Sequence, residues 1–542
     1  MLDNGPSTEL SLKPEPDVRI GRVVSVAGSQ IVALVSTAGD GSGELQIGSI
    51  VKMHTPETTV YGMVNGFSIP IPADEKSDQS EMKIAELDLI GEKLCGRDES
   101  ADAFQRGVSA FPALGADVYC ATQEDLKNVY SRSHASTVRI GSIHQDRSLP
   151  AYVVVDDLLG KHFAILGTTG SGKSCSVALI LHAILAQHEN AHVVLLDPHG
   201  EYARAFGEKA EVLDSATLQL PYWLFNFEEL AEVMFGADGG DVSNEISILR
   251  ELVQMAKVKS VSDPEAANFV TVDTPVPYKL GDVVRLIDEA SGKLERRSDV
   301  APYLRLKNRL NTLQADRRYS FMFSTGVVMR DNMVQILSRI FRIPADGKPI
   351  GIVDLSGIPS EIINVVVSVL CRMTLDVALW SDRALPILLV CEEAHRYAPQ
   401  NTNLGFEPAK RALSRIAKEG RKYGLSLCVV TQRPSELEAG LLSQCNTIFA
   451  LRMSSQKDQE FVAAALSEAT PGLVGSLPAL RNAEAIAVGE GVSVPMRLRF
   501  DELPENKRPL SGNARFSAAW QEELDDRTIL STVVERWRRQ RR

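Results

Sequence analysis

The sequence predicts an α/β fold with a mostly parallel sheet, preceded by a small β-barrel and interrupted by a helical insertion. Short β-branched runs separated by Gly, Pro, Asn and Asp fill residues 1–150, which is typical of a small barrel or sandwich. From His162 onward, apolar strands alternate with helical segments, and this alternation indicates a parallel sheet covered by helices. Between Leu220 and about Pro344 the strand signal fades and apolar residues recur at helical spacing.

Each element of this fold can be placed on the chain. Barrel strands are expected within residues 18–35, 47–51, 61–69 and 83–90. Sheet strands are expected at residues 162–166, 192–197, 350–355, 386–391, 425–431, 447–451 and 485–488. The predicted domains are therefore a barrel (1–150), a sheet-containing core (151–220 and 345–500), a helical insertion (221–344) and a C-terminal extension (501–542).

Composition limits the classes of protein to which the chain can belong. Its 542 residues include 58 Lys and Arg against 70 Asp and Glu, which gives a formal net charge of −12. A hydrophobic content of 44% with a charged content of 24% is typical of a packed soluble protein that can bury a large core. The acidic balance argues against a surface that is basic throughout, but it leaves local basic segments open.

Several absences bear on the compartment. The seven cysteines are scattered without close pairs, so neither a disulfide framework nor a zinc site is predicted. The N-terminus has no basic region followed by an apolar stretch, as a secretory signal would. The longest apolar run, Ile362–Cys371, is interrupted at Ser368 and followed by Arg372, so it is shorter than the ~20 residues that a membrane span needs. We expect a cytoplasmic protein that does not enter a membrane.

The most specific chemical signal is a glycine-rich stretch between the first sheet strand and a helix. Residues 167–174 read Gly-Thr-Thr-Gly-Ser-Gly-Lys-Ser and fit the phosphate-loop pattern in full. Backbone N–H groups of such a loop wrap phosphates at the positive end of the helix, while Lys173 reaches the β and γ phosphates and the Ser174 hydroxyl can bind Mg²⁺. The predicted ATP-binding residues are Gly167, Thr168, Thr169, Gly170, Ser171, Gly172, Lys173, Ser174 and Cys175.

Two acids follow the strand at 387–391. This position places Glu392 beside a magnesium ion and Glu393 where it can accept a proton from an attacking water. Glu392 stands where Asp is commoner, so the two roles can be shared differently. The alternative interpretation is a pair of acids at a helix N-terminus.

Four other polar residues lie at or just after strand ends. Asp197 and Glu201, in Asp-Pro-His-Gly-Glu-Tyr, can assist a metal or a water, or can simply shape a turn. Gln432 can sense the γ-phosphate, with a structural hydrogen bond as the alternative. Arg433 can pair with a phosphate or with a neighbouring carboxylate.

Two segments are basic despite the acidic total. Arg411, Arg415, Lys418 and Lys422 recur at spacings of four, three and four, which places them in one stripe on a helix. Arg421, beside Gly420, can project across a subunit boundary as an arginine finger, and a solvated basic face is the alternative. Five arginines in residues 536–542 can bind nucleic acid or another subunit, or can form a solvated tail.

Taken together and in this order, the motifs resemble those of the HerA family of hexameric DNA translocases, in the HerA/FtsK branch of RecA-like ATPases. The resemblance rests on residues 167–174, 197–202, Glu-Glu-Ala-His at 392–395, Lys-Glu-Gly-Arg-Lys-Tyr-Gly at 418–424 and Thr-Gln-Arg-Pro-Ser at 431–435. It implies a RecA-like P-loop NTPase core, an N-terminal β-barrel and a helical bundle inserted in the core.

The resemblance also implies a function. Six subunits would form a ring around double-stranded DNA, with ATP and Mg²⁺ between neighbours. Lys173 and Ser174 would hold nucleotide and metal, Glu392 and Glu393 would share the metal and base roles, Gln432 would sense phosphate and Arg421 would act in trans. A partner nuclease or an antiphage effector is expected. The alternatives are a ring scaffold that activates an effector enzyme, and a protein remodeller.

Overall fold

The computed structural model describes residues 17–36, 45–69, 82–95, 104–131, 135–236, 242–293, 296–323, 331–401, 406–466, 471–510, 516–521 and 527–539. The chain divides into two units. The barrel unit comprises Met1–Val155, Leu466–Leu480 and Glu484–Arg499. The sheet unit comprises Asp156–Ala465, Arg481–Ala483 and Phe500–Arg542.

The barrel unit begins with a closed antiparallel barrel. Its strands are β1 Arg19–Ala27, β2 Gln30–Ser36, β3 Ile50–His54, β4 Thr58–Ser68, β5 Met82–Leu94, β6 Gln105–Arg106 and β7 Asp117–Cys120. They pair in the order β2-β1-β7-β3-β4-β5-β6, and pairing of β2 with β5 closes the barrel. Alternating side chains such as Val23, Ile31 and Met53 fill the interior. The predicted N-terminal barrel is confirmed.

The rest of the barrel unit contains α1 Gln123–Tyr130, β8 Thr137–Ile143, β9 Pro150–Val154, α16 Pro471–Gly475, β17 Glu484–Gly489 and β18 Met496–Phe500. β8, which the predicted domain 1–150 includes, forms an antiparallel hairpin with β9 beside β18, and among the described residues neither strand pairs with the barrel. β17, which we expected in the parallel sheet at 485–488, instead pairs antiparallel with β18.

The sheet unit contains a parallel sheet. Its strands are β10 Phe163–Leu166, β11 Val193–Asp197, β12 Ala210–Leu213, β13 Ile350–Asp354, β14 Ile387–Cys391, β15 Leu425–Thr431 and β16 Thr447–Leu451. They lie in the order β12-β13-β11-β14-β15-β10-β16. Every residue of β10, β14 and β15 is buried, as expected for strands covered on both faces. The predicted mostly parallel α/β sheet is confirmed, and among its described strands β12 was not predicted.

The helices of the sheet unit are α2 Val155–Leu159, α3 Lys173–Gln187, α4 Ala203–Phe206, α5 Phe227–Phe235, α6 Ser243–Ser260, α7 Pro264–Ala267, α8 Leu280–Ser291, α9 Arg297–Ala315, α10 Ser320–Phe323, α11 Met333–Phe341, α12 Ser360–Trp380, α13 Glu407–Glu419, α14 Ala439–Leu442, α15 Gln456–Ala465, α17 Phe516–Ala519 and α18 Arg527–Arg539. Helices α5 to α11 lie in the chain between the paired strands β12 and β13. The core therefore carries the predicted helical insertion.

Helix α12 is longer than the apolar run that the sequence suggested. It continues past Arg372 because this guanidinium pairs with buried Glu229 of α5, with 3.0 Å between Nε and Oε1, and with Asp376 one turn later. In the described part of the chain, α12 contains one segment, Ile362–Trp380, that is long and apolar enough to cross a membrane. Of the most apolar 18 residues of this segment, 72% are buried inside the protein. A core helix has the same length and composition.

Helix α18 contains the start of the arginine-rich tail. Its apolar residues Ile529, Leu530, Val533 and Trp537 are all exposed, as are Arg536 and Arg538. Arg541 and Arg542 lie outside the described residues.

Candidate active site

The phosphate loop connects β10 with α3 at the carboxyl edge of the sheet. Gly170 and Gly172 have φ of 76° and 107°, a region that side-chain-bearing residues rarely adopt, and Gly172 is the N-cap of α3. The Thr168 hydroxyl donates to the Arg452 carbonyl at 3.0 Å, and the Ser171 hydroxyl donates to the Thr168 carbonyl at 2.7 Å. These bonds hold the loop in a curved shape with the helix N-terminus open to an anion.

Lys173 is buried at the start of α3. Its Nζ donates to the Thr168 carbonyl at 3.2 Å, so the ammonium folds back over the loop. Burial lowers the pKa of Lys173, and the carboxylates of Glu392, Glu393 and Glu201 oppose that shift. The charge thus lies beside the loop and faces three acids, where a phosphate can replace the carbonyl as its partner.

Glu392 follows the last residue of β14 and is buried. Its Oε1 accepts hydrogen bonds from the Tyr202 hydroxyl at 3.0 Å and from the Ser174 hydroxyl at 3.4 Å, whereas its buried Oε2 has no hydrogen-bond partner among the described residues. Burial, and then the charge of Glu393, raise the pKa of Glu392 to about 8. A buried carboxylate with a free oxygen beside a hydroxyl fits a magnesium ion, which prefers oxygen ligands.

Glu393 is held in an unusual backbone conformation. Its φ of 54° lies in the left-handed region, which costs a non-glycine residue about 1–3 kcal/mol and is concentrated at functional sites. Burial raises the pKa of Glu393, while the charges of Lys173 and His199 and a hydrogen bond from Gln432 partly offset that shift. Its Oε2 lies 3.3 Å from His395 Nδ1. The turn therefore directs a second carboxylate to the same edge of the sheet as the phosphate loop.

Strand register brings Gln432 to the loop. Leu166 of β10 aligns with Thr431 of β15, so the residues after both strands are neighbours. The Thr169 hydroxyl donates to Gln432 Oε1. Arg433 is exposed and pairs with Glu436, with 2.9 Å between Nη1 and Oε1. Of the two, Gln432 contacts the phosphate loop and Arg433 has a carboxylate partner.

Asp197 shapes a turn, one of the two interpretations that the sequence left open. The carboxylate is fully buried and accepts three backbone N–H groups, from His199 at 3.2 Å, Gly200 at 2.9 Å and Tyr202 at 3.0 Å. This turn delivers the Tyr202 hydroxyl to Glu392. Glu201 is half-buried, and its carboxylate acts on Lys173 through charge.

Arg421 lies at the other edge of the sheet. It is exposed on a 3₁₀ turn, Gly420–Tyr423, immediately before β15 begins, and its side chain makes no hydrogen bond or ion pair within the described parts of the chain. Since β15 has seven residues at about 3.3 Å each, roughly 20 Å separates this turn from Gln432. Arg421 therefore cannot reach the phosphate loop of its own subunit.

The basic stripe Arg411, Arg415, Lys418 and Lys422 is exposed, whereas Leu413, Ile416 and Ala417 of the same helix are buried. The prediction of one helix for the stripe is wrong for Lys422, because α13 ends at Glu419 and Lys422 lies on the 3₁₀ turn that follows. Arg411 pairs with Glu228 and Glu407, and Arg415 lies 3.8 Å from Glu419, so part of the positive charge is neutralised. Cys175, assigned to the nucleotide site, is exposed on α3.

Sequence reasoning missed Tyr202 and His395. Tyr202 bonds Glu392, and His395 lies between Glu393 and Thr431, with its Nδ1 2.9 Å from the Thr431 hydroxyl oxygen. Their positions in the sequence could have indicated a role in the site, because each residue lies in a polar motif at the carboxyl end of a buried strand.

Tyr202→Phe is expected to raise the Mg²⁺ concentration for half-maximal ATP hydrolysis about 10-fold. Outer-shell partners fix a ligand's orientation, and their loss typically costs 10–100-fold in metal affinity or activity. The matched control is Tyr397→Phe, because the Tyr397 hydroxyl is buried without a hydrogen-bond partner in the described structure. Equal Mg²⁺ dependence of the two variants would show that the Tyr202 hydroxyl does not orient Glu392.

Residues 138–374 match the family model for the central domain of helicase HerA. A probable helicase of Methanocaldococcus jannaschii is 26% identical over 477 residues, which cover 84% of this chain and 86% of that protein. DNA double-strand break repair helicase HerA of Pyrococcus furiosus is 26% identical over 468 residues, covering 79% and 78%. VirB4 of Thermoanaerobacter pseudethanolicus is a solved structure with a TM-score of 0.49 and 17% identity, covering 70% of this chain and 99% of that one.

The family match begins within β8 and extends through the phosphate loop and the helical insertion into α12. Four of the five motifs that carry the resemblance lie at the carboxyl edge of one sheet, with a complete phosphate loop and two buried acids, and the fifth, residues 418–424, precedes β15 at the opposite edge. The chain is an ATP-hydrolysing P-loop enzyme, and its residues 138–374 are similar to the central domain of the HerA helicase family.

Proposed function

We propose that the protein is a ring-shaped motor, with six subunits expected, that couples ATP hydrolysis to movement along double-stranded DNA. The observation that carries this proposal is the phosphate loop next to Glu392 and Glu393, whose Oε2 atoms are buried without hydrogen-bond partners in the described structure. Buried polar atoms are normally bonded, so two free carboxylate oxygens beside a phosphate loop favour a bound ligand that supplies their partners. The relatives named as helicases support DNA as the track.

Each side chain of the site has a role in this proposal. The loop N–H groups and Lys173 bind the β and γ phosphates, and Gln432, bonded to Thr169, detects the γ-phosphate at the end of β15. Glu393 takes the proton from the attacking water and orients that water along the line of displacement. The free oxygen of Glu392 and the Ser174 hydroxyl hold Mg²⁺, which neutralises charge on the phosphates when it is bound.

A second subunit completes the site. Arg421 is exposed, and its side chain has no hydrogen-bond or ion-pair partner in the described part of its own chain. It lies at the opposite edge of the sheet from the phosphate loop. In a head-to-tail ring, one face of each subunit meets the opposite face of the next. Arg421 can then reach the nucleotide of the neighbour and stabilise charge on the transferring phosphoryl group.

The experiment that tests the proposal measures ATP turnover with and without a linear DNA duplex. We expect duplex DNA to raise kcat severalfold and binding to weaken steeply with salt, because contacts to phosphates release counterions. Light scattering should give a mass several times that of one chain, as expected for a ring. A protein that hydrolyses ATP equally well with and without DNA, and binds no duplex at low salt, would exclude a DNA motor while leaving the ATPase intact.

A partner nuclease or an antiphage effector stays a prediction. We place its docking surface on the barrel and on the acidic segment 74–102, about half of which lies outside the described residues. Addition of a candidate nuclease should change the ATP turnover or gain an activity of its own. An effector activity that needs nucleotide binding but survives Glu393→Gln would favour the scaffold over the motor.

A further inference from the structure

His395 occupies a position between the catalytic base and the end of β15. It lies on a short turn, Ala394–Arg396, directly after Glu393. One ring atom, Nδ1, is 2.9 Å from the Thr431 hydroxyl oxygen and 3.3 Å from Glu393 Oε2. The same nitrogen thus has two oxygen neighbours from two different strand ends.

Nδ1 cannot accept a hydrogen bond from Thr431 and donate one to Glu393 at the same time. Burial lowers the pKa of His395 to about 4, so the ring is neutral and one of its nitrogens carries the proton. Thr431 Oγ1 already accepts the Arg433 backbone N–H at 3.0 Å, so its own hydrogen is available for Nδ1. Nδ1 either accepts from Thr431, or carries the hydrogen and donates to Glu393.

The structure is closer to the state in which Nδ1 accepts from Thr431. The Thr431 contact has the length of a hydrogen bond, whereas Glu393 Oε2 lies farther away and accepts no hydrogen bond of good geometry among the described residues. In this state Nδ1 does not orient the carboxylate. A small shift of the Thr431 end of β15 would free Nδ1. Once Nε2 has released its proton to water and Nδ1 has taken one up from water, the other neutral tautomer can donate from Nδ1 to Glu393.

Thr431 is placed to undergo such a shift. It directly precedes Gln432, whose side chain accepts a hydrogen bond from Thr169 of the phosphate loop. A nucleotide that displaces Thr169 or binds Gln432 therefore pulls on the residue next to Thr431. Covalent bonds and short polar contacts therefore form a continuous path from the phosphate loop to the catalytic base, through Thr169, Gln432, Thr431, His395 and Glu393.

We propose that His395 is a positioning residue that exchanges its Nδ1 contact between Thr431 and Glu393, and so couples occupation of the phosphate loop to orientation of the catalytic base. This inference rests on the proposed role of Glu393 in ATP hydrolysis. The exchange provides two discrete arrangements, which is the physical requirement for a switch.

Substitutions at His395 test which ring atom matters. His395→Asn places an amide near the Nδ1 position, whereas His395→Gln places it near Nε2. We expect His395→Leu and His395→Gln to lower kcat for ATP about 10–100-fold with KM changed less than threefold, and His395→Asn to recover most of the loss. Equal losses in Asn and Gln variants of unchanged melting temperature would overturn the assignment to Nδ1.

Substitutions at Thr431 should act in the opposite direction. Thr431→Val removes the hydroxyl that competes for Nδ1, so basal turnover without DNA should rise about 2–5-fold, by the population shift that a lost hydrogen bond of about 1 kcal/mol allows. Thr431→Ser keeps the hydroxyl and is the matched control, with a basal rate expected below that of Thr431→Val. A merely structural contact would lower turnover in both the His395→Leu and the Thr431→Val variant, and that result would refute the exchange.

The outcome can be separated from that of the proposed function. Fluorescent ATP binding reports the phosphate loop independently of turnover. If Lys173→Ala and Glu393→Gln abolish hydrolysis while His395→Leu turns over like the wild type, the ATPase assignment stands and this inference fails. If Glu393→Gln is as active as the wild type, the proposed base itself is wrong.

Discussion

Lys173→Ala is expected to lower kcat for ATP hydrolysis by at least about 10²–10³-fold, the cost of removing one preorganised donor from a developing negative charge. The ammonium is buried, and its one hydrogen bond among the described residues is to a loop carbonyl at 3.2 Å, a contact that it can exchange for a phosphate. Phosphate release under saturating ATP is the measurement. The affinity for a fluorescent ATP should fall in parallel, since Lys173 contacts the phosphates before and during the reaction.

The control for this prediction is another lysine-to-alanine change in the same unit. Lys457 is exposed on α15 and belongs to none of the motifs, so Lys457→Ala should keep wild-type turnover. Because Lys173 is buried, the melting temperature of both variants must be compared first. A folded Lys173→Ala protein with turnover near the wild type would remove the foundation of the proposed mechanism.

The fold could be predicted where the sequence encodes it locally. Strands such as β14 and β15 are continuous apolar runs, and they lie where the pattern placed them. β12 is a four-residue strand with a half-buried middle, too short and too polar to differ from a loop. The position of the β8–β9 hairpin beside β18 depends on a segment far away in the chain, which periodicity does not reveal.

The site was predictable to the same extent. The phosphate loop and the acids Glu392 and Glu393 follow from local motifs, because their chemistry requires fixed residues at strand ends. The role of Asp197 could not be decided, since a turn-forming carboxylate and a metal ligand look alike until its three N–H partners are seen. Tyr202 and His395 act through contacts with residues far away in the chain, so only the fold brings them to the acids.

Arg421→Ala is expected to lower kcat about 10³–10⁵-fold, the range known for arginine fingers, with little loss of ATP binding by the subunit that carries the phosphate loop. The matched control is Lys422→Ala, which removes the neighbouring exposed cation of the same turn. Arg421→Lys should recover only part of the rate, because an ammonium keeps the charge but lacks the planar fork of donors.

Mixing inactive subunits decides whether Arg421 acts in trans. A Lys173→Ala subunit keeps its arginine and an Arg421→Ala subunit keeps its phosphate loop, so an equal mixture that exchanges freely should contain about one quarter of interfaces with both groups intact. Turnover should therefore reappear in the mixture. Replacing the first partner by a Lys173→Ala/Arg421→Ala double variant should abolish the recovery, since no subunit then supplies the arginine. If rings form and exchange subunits but turnover stays absent at every ratio, Arg421 does not act in trans. Because roughly 20 Å separates its turn from Gln432 of its own subunit, Arg421 then does not contact a nucleotide at all.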